Sequence, residues 1–143
     1  SRDTLRFESG NINLQCGQHS ENATTTALFR DPSAWYHIVC AVDSTQAASG
    51  DRVVIYVNGV SQALGTNTIS QNREFKINTD NKHVIGCRWL SDAYHIGFNG
   101  YIAEFHFIDG TKAAASSFGL VNLEPKGQHV AVITATQVGA QVV

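Results

Sequence analysis

An all-β fold, with strands spaced as in a sandwich, is predicted by three observations. Hydrophobicity alternates with a period of two along most of the chain. Turn-forming pairs punctuate it at short intervals, giving roughly eight or nine strands. No amphipathic stretch reaches the roughly ten residues of an ordinary helix. A length of 143 residues fits one core that needs no metal or disulfide staple.

Thr4-Leu5-Arg6-Phe7-Glu8-Ser9 and Ile12-Asn13-Leu14-Gln15-Cys16 alternate on either side of Gly10-Asn11 and read as a hairpin. A third strand over 24–29 stops at Asp31-Pro32-Ser33, where Pro fixes φ and Asp accepts backbone bonds. Trp35 to Val42 carries large or apolar side chains on both faces, as a strand buried between two layers does, so Trp35 is expected to be buried. Arg52 to Val57 runs into Asn58-Gly59, a type I′ hairpin pair, and Val60 to Leu64 would return beside it. The polar run from Gly65 to Arg73 reads as loop, and Phe75 to Asn78 and His83 to Cys87 as short strands. Arg88 to Asn99 is a loop rich in aromatic residues. Gly100 to Gly110 reads as one long strand whose face of Tyr101, Ala103, Phe105 and Phe107 should be core. Ala113 to Phe118 offers one helical turn, and His129 to Val143 a strand or extended arm. Pro125 and Gly127 divide the chain into a domain over 1–120 and an arm over 121–143.

Ten Lys and Arg against twelve Asp and Glu give a net charge of −2 with no basic run, so nucleic acid is not expected as a partner. No stretch approaches the roughly 20 apolar residues of a membrane span, and a soluble chain without membrane insertion is expected. Cys16, Cys40 and Cys87 are odd in number and form no CxxC, so they read as buried small hydrophobes in a reducing compartment. Asn22-Ala23-Thr24 matches a glycosylation sequon by pattern alone.

Trp35-Tyr36-His37-Ile38-Val39, Val54-Ile55-Tyr56-Val57-Asn58-Gly59, Val84-Ile85-Gly86 and Phe98-Asn99-Gly100-Tyr101-Ile102-Ala103-Glu104-Phe105, in that order, resemble the concanavalin A-like, laminin-G-like jelly-roll superfamily. Phe29 to Ile38, Phe105 to Gly110 and Ser116 to Gly119 resemble the version found in structural proteins of marine tailed phages. The resemblance implies an antiparallel two-sheet jelly-roll sandwich; family domains usually begin with further strands before Thr4, so that sandwich is expected to be incomplete at its N-terminus. The resemblance implies a non-enzymatic virion module, on a tail fibre or as capsid decoration, that assembles with other virion subunits as a homo-oligomer and holds host-surface glycans. A cellular or secreted lectin-like adhesion module is the alternative.

Glucanases share this sandwich, and their retaining chemistry needs two carboxylates about 5 Å apart. In the resembling enzymes these stand in a Glu-x-Asp-x-(x)-Glu run, whereas Glu8, Glu21, Glu74, Glu104 and Glu124 are isolated here. No catalytic residue is therefore assigned. Glu104 on an expected core strand needs hydrogen-bond partners or a half-exposed face. His37 and His106 read as satisfied sandwich histidines, and six histidines without ligand spacing make no zinc site. No cofactor is assigned; calcium is the metal that the hard oxygens of Asp80, Asn81, Asp92 and Asn99 would suit, although those residues read first as surface turns. For glycan the candidate platform is Trp89, Asp92, Tyr94 and Asn99, aromatic faces beside polar groups. The plainer role for Trp89 and Tyr94 is to cap the end of the sandwich.

Overall fold

The computed structural model describes residues 2–118, apart from Gln18, Asn78 and Ile96, and the backbone of 133–138. The first layer contains β1 (Thr4–Glu8), β2 (Asn11–Cys16), β3 (Glu21–Thr25) and β7 (Leu64–Asn67), in the order β1-β2-β3-β7 and antiparallel throughout. The second contains β4 (Ile38–Asp43), β5 (Val53–Val57), β6 (Val60–Ser61), β10 (His106–Asp109) and β11 (Ile133–Val138), in the order β10-β11-β4-β5-β6. A separate hairpin joins β8 (Arg88–Leu90) to β9 (Ala93–His95). Among the described residues helix is confined to one turn before β5, α1 (Ser49–Arg52), and a 3-10 turn over Ala115–Phe118. The fold is thus an all-β sandwich of the jelly-roll class.

Alternate residues of facing strands make the core. Ile12, Leu14, Cys16 and Ala23 from the first sheet meet Ile38, Cys40, Val42, Val53, Ile55 and Val57 from the second, with Ile69 and Phe75 closing the space between them. Both turns predicted inside hairpins are tight, but the first is displaced by one residue. Glu8 pairs with Asn11, so Ser9-Gly10 forms the turn, with φ of 54° and 92°. The second falls on Asn58-Gly59 (φ 51° and 78°) as expected. There the Asn58 side-chain oxygen also accepts the His37 N–H at 2.9 Å, while the Asn58 N–H donates to the His37 carbonyl at 2.8 Å. Arg52 fastens the preceding loop, its guanidinium donating to the carbonyls of Gln46, Ala47 and Ile69.

Several elements differ from the pattern-based reading. β3 ends at Thr25 and not at Phe29, because the Thr25 hydroxyl accepts the Ile12 N–H at 3.0 Å and so replaces the next rung of the ladder. The polar stretch after Leu64 is not loop throughout: Leu64–Asn67 pairs with β3 as an edge strand, which water-facing residues can form. Val60 to Leu64 does not return as one strand, since the chain leaves β5 after Ser61 and crosses to the other layer. Trp35 precedes β4 and is half-buried. Neither 75–77 nor 83–87 is strand, Asn78 lying outside the described residues; Gly86 turns the second stretch at φ 77°.

The long strand expected over 100–110 is reduced to His106–Asp109. Glu104 adopts a left-handed φ of 54°, which breaks the alternation. The face expected to be core is consequently turned outward at Tyr101, 78% exposed, and Phe105, 43% exposed. Glu104 itself is exposed, so its carboxylate has no burial to offset. Ala115–Phe118 forms the turn expected there, and Ile133–Val138 is strand within the stretch read as strand or arm. The thiols of Cys16 and Cys40 are buried and free, and Cys87 is half-buried and free.

Candidate functional site

The β8–β9 hairpin is built by its turn. Ser91 and Asp92 both hold left-handed φ, 49° and 59°, the geometry that matches the twist of a two-residue hairpin. The register sets Trp89 opposite Tyr94, and their rings meet edge to face at 4.6 Å between centroids and 76° between planes. Lys82 Nζ lies 3.5 Å from the Trp89 ring centroid, a cation held by the ring's negative face. Tyr94 is 68% exposed.

Of the four residues expected to form a glycan platform, Trp89 and Tyr94 are therefore in contact and Asp92 stands in the turn between their strands. Asn99 lies beyond the hairpin, and among the described residues no hydrogen bond or ring contact ties it to the pair. Lys82 completes the group, and no spacing marks it in the sequence: it comes from an irregular segment seven positions before the tryptophan. Its ammonium lies over the half-buried Trp89 ring, which in turn meets the exposed Tyr94 ring, so a donor and an apolar face stand in one cluster.

A second aromatic assembly lies along the β1 edge. Phe29 meets Tyr36 edge to face at 5.4 Å, Tyr36 meets Phe7 at 6.3 Å, and Phe7 stacks on Phe98 at 6.0 Å. Tyr101 stacks on Trp35 at 6.5 Å. These contacts explain how the loop around 98–101 is fixed without strand pairing; the Phe98 N–H also donates to the Gly86 carbonyl at 2.7 Å.

Ionic groups are spent mostly on structure. Glu21 pairs with Arg73 at 3.3 Å and accepts the Ser70 hydroxyl. Burial would raise the Asp43 carboxyl's pKa, but bonds from Thr45 and Gln46 hold it below its ordinary value. The Arg2 guanidinium loses its proton more readily than usual because of desolvation and then the nearby charges of Arg88 and Arg6. A shallow depression lined by Ser49, Gly50, Val53, Ser61, Gln62 and Asn67, among others, presents no carboxylate, imidazole or thiol. Among the described residues no three His, Cys, Asp or Glu side chains gather to hold a metal ion, and the Asn81 side-chain N–H donates to the Thr79 hydroxyl.

His37 departs from that satisfied pattern, as the Asn13 and Asn67 side-chain oxygens do, and so from the satisfied histidine expected. It is buried, its Nε2 has no hydrogen-bond partner, and burial lowers its pKa while the Glu104 carboxylate pulls weakly the other way. The folded protein therefore prefers the neutral imidazole. Its contribution to stability should be complete above the unfolded imidazole's pKa, about 6.5, and be lost as pH falls from there through the lower folded value. Urea midpoints measured between pH 7.5 and 5 should decline, and His37→Gln should flatten the decline; a substitution that leaves the slope unchanged contradicts this assignment.

A sequence profile for the family described as the concanavalin A-like lectin/glucanases superfamily matches residues 2–116. No curated protein and no solved structure matches the chain.

Proposed function

This chain belongs to the concanavalin A-like lectin/glucanases superfamily, and from that premise we propose that it is a non-catalytic adhesion module that binds glycans on its β8–β9 hairpin. The observation that carries the reading is the exposed Tyr94 ring braced by Trp89, with Lys82 on the tryptophan face. A pyranose can lay its C–H face on such a ring while its hydroxyls reach Lys82 and Asp92. Against hydrolysis stands the sequence itself, which lacks the alternating carboxylate run of the glucanases. The setting we propose is a virion surface, on a tail fibre or capsid decoration; support comes from the likeness of Phe29 to Ile38 and Phe105 to Gly110 to marine phage structural proteins.

A glycan array probed with the full chain tests the binding. We expect at least one glycan class to be retained, and Trp89→Ala and Tyr94→Ala each to weaken it by about 30-fold, the effect of losing an aromatic anchor worth roughly 2 kcal/mol. Binding that both variants preserve would remove the hairpin from the site. Release of reducing sugar from any bound glycan would make the protein an enzyme.

A further inference from the structure

The seat of β11 is unlike any other in the sandwich. β11 runs parallel to both of its neighbours, pairing Ile133 with Ile38 through Val138 with Asp43 on one side and Thr134 with His106 through Gln137 with Asp109 on the other. Every other described strand pair is antiparallel. Its neighbour β4 is buried along its whole length, from Val39 at 0% exposed to Asp43 at 7%. β4 pairs with β5 along its other edge, so without β11 it would present a row of unpaired N–H and C=O groups beside the core.

The strand that fills this position is held to its own copy by a long tether. A parallel neighbour must be reached by a crossover of a dozen or more residues, and here residues 110–132 separate β10 from β11. Before that crossover leaves the described body, its last anchors are Ala115, which is buried, and Phe118, whose ring lies 6.3 Å from that of His106 on β10. Both walls of the seat, β4 and β10, come from one copy. An incoming Ile133–Val138 segment meets the same ladder whichever copy supplies it.

The geometry points to β11 as an exchangeable strand: the seat between β4 and β10 accepts the Ile133–Val138 segment of a second copy of this chain, and reciprocal exchange gives a two-fold symmetric dimer. Both placements make the same backbone bonds, so chain connectivity decides between them through the effective concentration it imposes, on the order of millimolar. The full chain should then be monomeric at micromolar concentration and dimerise as it is concentrated. This inference needs no glycan and stands apart from the binding function.

Deleting residues 119–132 tests it. Only residues 110–118 would then join β10 to β11, fewer than a parallel crossover requires, so the strand can be seated only in trans. Light scattering should give the deletion variant twice the monomer mass at micromolar concentration, where the full chain is single. A second arm serves if that variant does not fold. The full chain carrying Thr136→Pro lacks a ladder N–H in its own strand, and should take up a fluorescent peptide of residues 131–140, read as a rise in anisotropy, but not the same peptide carrying the proline. A folded deletion variant that stays monomeric overturns the inference, as does a Thr136→Pro chain that leaves the peptide free.

Discussion

Ile55→Ala should lower the unfolding free energy by about 2–5 kcal/mol, the range for truncating a large aliphatic side chain inside a close-packed core. Ile55 is 0% exposed, stands at the middle of β5 and is paired with Cys40 on β4, so its side chain fills the centre of the space between the layers. The strands on either side are fixed by their ladders and cannot collapse to fill the hole, which puts the cost above simple transfer to water. Val60→Ala supplies the comparison: Val60 is 63% exposed on the short β6, and its loss should lie within about 0.5 kcal/mol of zero. Urea denaturation of the two variants measures the difference. Equal shifts would mean that the interior lies elsewhere.

Thiol labelling should separate the native from the unfolded chain by a factor on the order of a thousand or more at Cys40. Cys40 is 1% exposed, and burial pushes its thiol pKa up to about 12. Both routes to reaction are slow. In the closed protein at pH 8 only about one thiol in ten thousand would be ionised at that pKa, and the thiolate is the reactive form. Opening the chain restores the ordinary pKa but costs a free energy that approaches that of global unfolding, about 5 kcal/mol or more. Cys16, 0% exposed and likewise raised by burial, should be protected with it, while the half-buried Cys87 should label first. Mass spectrometry after a short pulse of iodoacetamide distinguishes the sites; labelling of Cys40 at the rate of Cys87 would contradict the packing.

What the sequence made legible was whatever depends on near neighbours. Asn58-Gly59 specifies its own turn, and the two-faced apolar run of Ile38 to Val42 specifies a central strand, because both are local consequences of φ preference and side-chain period. The family likeness over most of the chain, and with it the sandwich, followed from several such segments in order. What stayed hidden depends on partners distant in sequence. The Thr25 hydroxyl ends β3 by reaching Ile12, and nothing in Thr24 to Phe29 announces that bond. Tyr101 and Phe105 have the alternation of a core face, but a left-handed Glu104 between them redirects the backbone. In the candidate site, composition drew attention to Trp89 and Tyr94, and the cross-strand register united them. Lys82 could not be found that way, since a cation over a ring is a tertiary contact with no fixed spacing.

The parallel seat of β11 also sets a timetable for folding on the ribosome. β4 can zip to β5 as soon as the Asn58-Gly59 turn has emerged, a local event of microseconds. Its other edge must wait for a strand that lies ninety-five positions later in register, Ile133 opposite Ile38. At about 5–20 residues per second that interval is roughly 5–20 s. Throughout it the nascent sandwich presents the edge of its most apolar strand, Ile38-Val39-Cys40-Ala41-Val42, to whatever is nearby, including the same edge on the next chain of a polysome. The yield of this protein should therefore respond to translation speed across residues 60–130 and to chaperones that shield strand edges more than to the stability of the finished fold.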